Sequence, residues 1–196
     1  MDKTSVYEPP QQTIELERIL GEGNIIDIGG GGEGLVSRIE GIRVYAVDVQ
    51  MDEILEARIH NPPSNWIVAD AINLPFGSNT FDIATLWFSL GYMKEWSIKK
   101  SVFQDIYRVL KKGGGINIKA IKIDCQEDML VFRADYSLPD GTLSRTGYGV
   151  KGKQNQTVET VTNCLRKTGF VIDDILDFGH WFSLEGSKSL KSRPIV

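Results

Sequence analysis

Asp27-Ile28-Gly29-Gly30-Gly31-Gly32-Glu33-Gly34 places a carboxylate two residues before a run of glycines, a spacing with definite chemical consequences. Ile25, Ile26 and Ile28 ahead of the run are β-branched, and Leu35, Val36 and Ile39 behind it recur at helical spacing, so a buried strand turns through glycine into a helix. Glycine serves where the backbone must adopt positive φ, and where a ligand must approach with no Cβ in the way. Gly29-x-Gly31-x-x-Gly34 satisfies the dinucleotide pattern, with Asp48 at the end of the next strand, where a ribose hydroxyl would bind. Asp27 argues against a dinucleotide, because a pyrophosphate seeks the positive helix end with no carboxylate beside it. S-adenosylmethionine instead brings a sulfonium and an ammonium into that mouth, and a carboxylate at the rim favours both.

The elements that must position these groups follow from the chain's patterning. Ile14, Leu16, Ile19 and Leu20 predict a short amphipathic helix ending at Gly21. The segments 42–48, 66–68, 83–88 and 116–123 read as further strands, separated by a helix opening at Asp52 and one carrying Val102, Phe103, Ile106 and Val109. Lys111-Lys112-Gly113-Gly114-Gly115 reads as the C-terminal cap of the latter helix. A helix carrying Val158, Val161 and Leu165 ends near Gly169, two strands joined at Gly179 follow, and a loose tail is expected from Lys188. Alternating strands and helices imply a Rossmann-like, doubly wound, mostly parallel sheet of about seven strands, closed by a C-terminal antiparallel hairpin. Ligands bind at the carboxyl ends of such strands, so Asp27, Asp48 and Asp70 are delivered to one edge. Pro139-Asp140-Gly141 between strand-like flanks predicts a hairpin inserted within 124–153. Residues 1–196 are thus expected to form one domain.

Asp27-x-Gly29-x-Gly31, together with Asp70-Ala71-Ile72-Asn73-Leu74-Pro75-Phe76 leading to Phe81-Asp82 and with Arg108-Val109-Leu110-Lys111-Lys112-Gly113-Gly114, resembles the class I S-adenosylmethionine-dependent methyltransferases of small-molecule type. Gly34 falls one place later than that family's final loop glycine, with Gly32-Glu33 between. The resemblance implies transfer of a methyl group from S-adenosylmethionine to a small-molecule acceptor, leaving S-adenosylhomocysteine. It implies that Gly29 and Gly31 admit the cofactor, that Asp27 lies near its ammonium, and that Asp48 takes the ribose hydroxyls. Asp70 would take the adenine amino group, the Ala71 amide a ring nitrogen, and Phe88 would stand at the methionyl side. It also implies that an insertion at 124–153 builds the acceptor pocket or a subunit contact, through which a dimer would form.

Acceptor-side candidates are Tyr7, Phe88, Leu90, Tyr92 and Trp96, though such aromatic rows more often belong to a core. His180 and Cys125 are weaker, each more often structural, and Cys164 reads as core. No catalytic residue is assigned, since displacement at a sulfonium needs orientation above all. Two alternatives stand beside this reading: a non-catalytic S-adenosylmethionine-binding relative acting as sensor or partner subunit, and an NAD-dependent oxidoreductase. A net charge of −4 with scattered basic residues argues against a nucleic-acid partner. Two cysteines and two histidines without metal spacing give no basis for a metal site. No apolar run reaches membrane-spanning length and the first residues lack a secretory pattern, so a cytoplasmic location is expected.

Overall fold

The computed structural model describes residues 4–60 and 62–190. In chain order the elements are β1 (Val6–Tyr7), β2 (Gln12–Glu15), β3 (Ile25–Ile28), α1 (Leu35–Glu40), β4 (Val44–Asp48), α2 (Met51–Arg58) and β5 (Asn65–Val68). They continue with β6 (Phe81–Trp87), α3 (Trp96–Val109), β7 (Leu110–Ile121), β8 (Met129–Ser137), β9 (Leu143–Lys151), α4 (Val158–Thr168), β10 (Phe170–Asp177) and β11 (Trp181–Lys188).

Seven strands form the main sheet in the order β10-β11-β7-β6-β3-β4-β5. The five from β7 to β5 run parallel, and β11 is antiparallel to both its neighbours. The strand order reverses direction at β3, whose partners are β4 on one side and β6 on the other, so a crevice opens beyond its carboxyl end. Successive strand residues face opposite layers. Ile26, Ile28, Ala84 and Leu86 pack against α3 and α4 through Val102, Phe103, Ile106, Val161 and Leu165. Ile25 and Ile83 face the other layer, where α1 shares the cover with a second sheet.

That second sheet has β8 at its centre. It pairs antiparallel with β9 along one side and parallel with β1 and β2 along the other. Leu130, Phe132, Ala134 and Tyr136 alternate along β8 and are fully buried against the main sheet. The hairpin in 124–153 therefore takes part of the layer that helices occupy in a purely helix-covered parallel sheet.

Three expectations are corrected. Residues 12–15 form a strand rather than the start of a helix, because Ile14 and Leu16 fit a period of two as well as a helical one and the edge of β8 is open to pair with them. The carbonyls of Ile19 and Gly21 are then satisfied by the Arg43 guanidinium, at 3.0 and 2.8 Å. Leu20, expected on the apolar face, is exposed. The glycines at 113–115 are not a helix cap: α3 ends at Val109 and the chain enters β7 directly. Pairing jumps from Phe81↔Leu110 to Ile83↔Gly115, so Lys111 to Gly114 form a bulge in which Gly113 has φ +76°. Lys188 closes β11 and is buried, its ammonium donating to the Leu110 carbonyl at 2.6 Å. The remainder of the expected tail, 191–196, lies outside the described residues. Among the described residues no helix is long and apolar enough to cross a membrane.

If packing of β8 on the main sheet holds this layer, Phe132→Ala should cost about 3–5 kcal/mol of unfolding free energy, the range for a buried aromatic cut to alanine. Leu143→Ala, at an exposed position, should cost less than about 0.5 kcal/mol. Urea unfolding of the two variants checks the contrast.

Candidate functional site

A cavity of about 640 Å³ opens at the carboxyl edge of the main sheet, bordered by residues 27–36 and by the ends of β4, β5 and β6. Its size is that of a small-molecule site. The loop after β3 is held from beneath. The Gly29 and Gly30 amides donate to the Val47 carbonyl at 2.8 and 3.1 Å, and the Gly32 amide to the Glu53 carbonyl at 2.8 Å. At Gly31 a Cβ would fall 2.5 Å from Glu53 Cβ and 2.8 Å from Asp48 Oδ2. At Gly29, with φ +70°, it would fall 2.4 Å from Ser89 Cβ. Side chains at these two positions would push the loop off α2 and off the end of β6. Gly34, the late glycine, has φ +57° at the start of α1 and lies against Ala57 of α2, which accounts for a glycine there.

Asp27 sits on β3 directly opposite Thr85 of β6 in the parallel ladder, and the Thr85 hydroxyl donates to Asp27 Oδ1 at 2.6 Å. The carboxyl is 3% exposed. Among the described residues no cation pairs with it. Burial pushes its pKa up to about 7, and the nearby Asp48 charge adds to the rise, against the lowering effect of the Thr85 hydrogen bond.

Asp48 ends β4, half-buried, with one carboxylate oxygen accepting from the Gly31 amide at 3.2 Å and the other from the Gln50 amide at 3.0 Å. It therefore shapes the loop as well as bordering the cavity. Asp70 is exposed and accepts from the Ile72 amide at 3.0 Å, forming a turn that sets it and Ala71 on the cavity rim. Phe88 borders the cavity with an unusual backbone, φ +62°. Its ring is 1% exposed and turns between the two sheets, 5.7 Å from the ring of Tyr148 and 5.3 Å from that of Tyr136.

All seven residues singled out from the sequence, Asp27, Gly29, Gly31, Asp48, Asp70, Ala71 and Phe88, thus border one cavity. Tyr92 joins them, half exposed. The other acceptor-side candidates do not. Leu90 is buried among α3 and the main sheet, Trp96 donates its indole N–H to the Gln154 carbonyl at 2.9 Å, and Tyr7 lies on β1. Cys125 packs against the core between the sheets, Cys164 against that between α3 and α4, and His180 begins the turn into β11.

Several residues went unnoticed in the sequence. Thr85 is legible only through its register with Asp27. Glu53 lies in α2's first turn, and burial first, then the Asp48 charge, raises its pKa. Glu33, within the glycine run, accepts a hydrogen bond from the Ser144 hydroxyl of β9, and Arg38 of α1 donates to that same hydroxyl at 3.2 Å. Thr146 and Tyr148 of β9 complete the cavity wall.

Among the described residues, seven carboxylates (residues 27, 33, 48, 53, 56, 70 and 95) and a single ammonium, Lys94, border the cavity. That charge suits a cationic ligand with hydroxyl groups and opposes a pyrophosphate.

Comparison with known proteins agrees with this geometry. Residues 26–118 match the family model described as a methyltransferase domain. The ubiquinone/menaquinone biosynthesis C-methyltransferase UbiE of Cereibacter sphaeroides is 28% identical over 48% of this chain and 40% of its own length. The 2-phytyl-1,4-naphtoquinone methyltransferase of Nostoc punctiforme is 37% identical over 36% of this chain and 32% of its own. The chain thus spans well under half the length of these curated relatives. A crystal structure of a S-adenosylmethionine-dependent methyltransferase from Methanosarcina mazei superposes with a TM-score of 0.66 at 18% identity, covering 89% of this chain and 96% of that one. Residues 26–118 thus match a methyltransferase domain, and the fold is that of S-adenosylmethionine-dependent methyltransferases.

Proposed function

We propose that the chain transfers a methyl group from S-adenosylmethionine to a small-molecule acceptor carrying an aromatic or quinone-type ring. One observation carries the reading. A single cavity joins the carboxylate-lined glycine loop to an aromatic wall made by Trp87, Tyr92 and Tyr148, so cofactor and acceptor have room side by side. The relatives named for quinone methylation agree with that wall.

In this reading Gly29 and Gly31 leave the loop backbone open to the cofactor. Asp27 meets its ammonium from below, and Asp48 offers carboxylate oxygens to the ribose diol. Asp70 and Ala71 bind the adenine edge, and Phe88 fixes the methionyl side of the wall. When bound, the cofactor supplies an electrophilic methyl group on a positively charged sulfur. The residues then contribute position above all: they hold the acceptor in line, and the proton that the methylated oxygen or carbon loses passes to solvent water.

Asp48→Ala should weaken S-adenosylhomocysteine binding by about 1.5–3 kcal/mol, the range for hydrogen bonds to a charged group, which is roughly 10- to 150-fold in Kd. Isothermal calorimetry reads the change, and unaltered affinity would remove Asp48 from the site.

A pH dependence follows from Asp27. With its pKa at about 7, the carboxyl is neutral in mildly acidic solution and must ionise to pair with an ammonium. Affinity for S-adenosylhomocysteine should therefore rise with pH, by up to about tenfold per unit below 7, and level off above it, with a proton released on binding at pH 6. Asp27→Asn should bind more weakly and lose that slope. The folding linkage has the opposite sign. The raised pKa favours the folded state fully below the ordinary carboxylate value, and that contribution is lost as pH rises through about 7. Calorimetry in buffers of differing ionisation heat counts the proton, and a flat profile in the parent protein would contradict the pairing.

A further inference from the structure

β9 presents every second residue to the interior, and its inner face reads Ser144, Thr146, Tyr148, Val150. Ser144 is tied to Glu33 of the glycine loop and Val150 is in the core, which leaves Thr146 and Tyr148 facing the cavity between them. Behind Tyr148 lies Tyr136 of β8, fully buried, whose hydroxyl donates to the Tyr148 oxygen at 3.0 Å. Tyr148's own proton has no acceptor among the described residues. Burial first, against the lowering effect of the Tyr136 hydrogen bond and with the Glu33 charge adding, pushes the Tyr148 hydroxyl above its ordinary value, so it remains a donor and does not serve as a base. Its ring is anchored against Phe88 at 5.7 Å and lies 6.5 Å from that of Tyr92 at the rim.

We propose that Tyr148, oriented by Tyr136, donates a hydrogen bond to an oxygen borne by the aromatic ring of the methyl acceptor. The acceptor class is then an oxygenated aromatic, a phenol, hydroquinone or quinone, rather than a plain hydrocarbon ring or an aliphatic amine. The inference rests on the methyltransferase reading, since it takes the cavity to hold cofactor and acceptor together. A hydroxyl that accepts one hydrogen bond from a buried partner has its remaining proton directed outward, and that geometry is preorganised before any ligand arrives. The Tyr148 oxygen also satisfies the buried Tyr136 donor, a role separate from the outward donation of its own proton.

The test uses the full chain saturated with S-adenosylhomocysteine and two probes that differ by one oxygen, 1-naphthol and naphthalene, titrated by tryptophan fluorescence. The parent protein should bind 1-naphthol about fivefold or more tightly than naphthalene, the change expected of one net hydrogen bond. Tyr148→Phe should bind the two probes alike, with its S-adenosylhomocysteine affinity within about twofold of the parent. Because that variant leaves the Tyr136 hydroxyl without its partner, the double variant Tyr136→Phe/Tyr148→Phe, which removes both hydroxyls and keeps both rings, should repeat the result. Unchanged discrimination in both variants overturns the assignment. So does a parent protein that binds S-adenosylhomocysteine but neither probe, or both probes equally. Failure of the parent to bind S-adenosylhomocysteine is a different result and overturns the methyltransferase reading itself.

Discussion

A carboxyl group is buried in the middle of a parallel sheet with a hydroxyl and, among the described residues, no cation as its partner. Asp27 is held at the end of β3 because its ladder neighbour Thr85 donates to it and because Gly30 has no Cβ where the second carboxylate oxygen sits. Burial there opposes the charged form of the carboxyl. A positive group beside it offsets that cost, so the position suits a ligand that carries one. The remaining carboxylates around the cavity extend the same logic outward, with Lys94 as the single opposing charge on the wall.

Close packing keeps this edge rigid. The glycine loop lies on α2 through Gly31, Gly32 and Gly34, and on Ser89 through Gly29, whose hydroxyl neighbour donates to the Ile28 carbonyl at 2.6 Å. Asp48 bridges the loop and the start of α2 with one oxygen for each. The second sheet closes over the loop from the other side, joined through Glu33, Ser144 and Arg38. Glu33 is the residue that displaces the last loop glycine by one position, so this departure from the family pattern coincides with the residue that contacts the hairpin. The same strand that makes the contact supplies Tyr148 to the cavity wall, which links that wall to the glycine loop through the five residues from Ser144 to Tyr148.

Much of this was legible because the informative groups lie in strand-turn-helix segments, where local chemistry decides structure. Asp27, Gly29, Gly31, Asp48 and Asp70 each stand at the end of a strand, and a parallel sheet brings strand ends together whatever its other details. The second sheet was legible only in part. A turn at Pro139-Asp140-Gly141 announces a hairpin, but nothing local announces that β2 pairs with β8 at a separation of more than a hundred residues. Ile14 and Leu16 satisfy helical and extended patterns alike, and the partner strand decided between them. Tyr148 was hidden for a related reason: whether it faces cavity or solvent depends on register, and a shift of one residue would have sent it outward. Phe88 shows the complementary case, where position was readable but the left-handed backbone there was not.

The central claim is that the carboxylate-lined crevice takes a nucleoside ligand bearing an ammonium and excludes a pyrophosphate. Parallel calorimetric titrations of the protein with S-adenosylhomocysteine and with NAD test it most directly. The account predicts saturable micromolar binding of the first and no heat of binding from the second. Binding of NAD with none of S-adenosylhomocysteine would contradict it, since Asp27 and the carboxylates around it would then be tolerating the charge they are argued to repel.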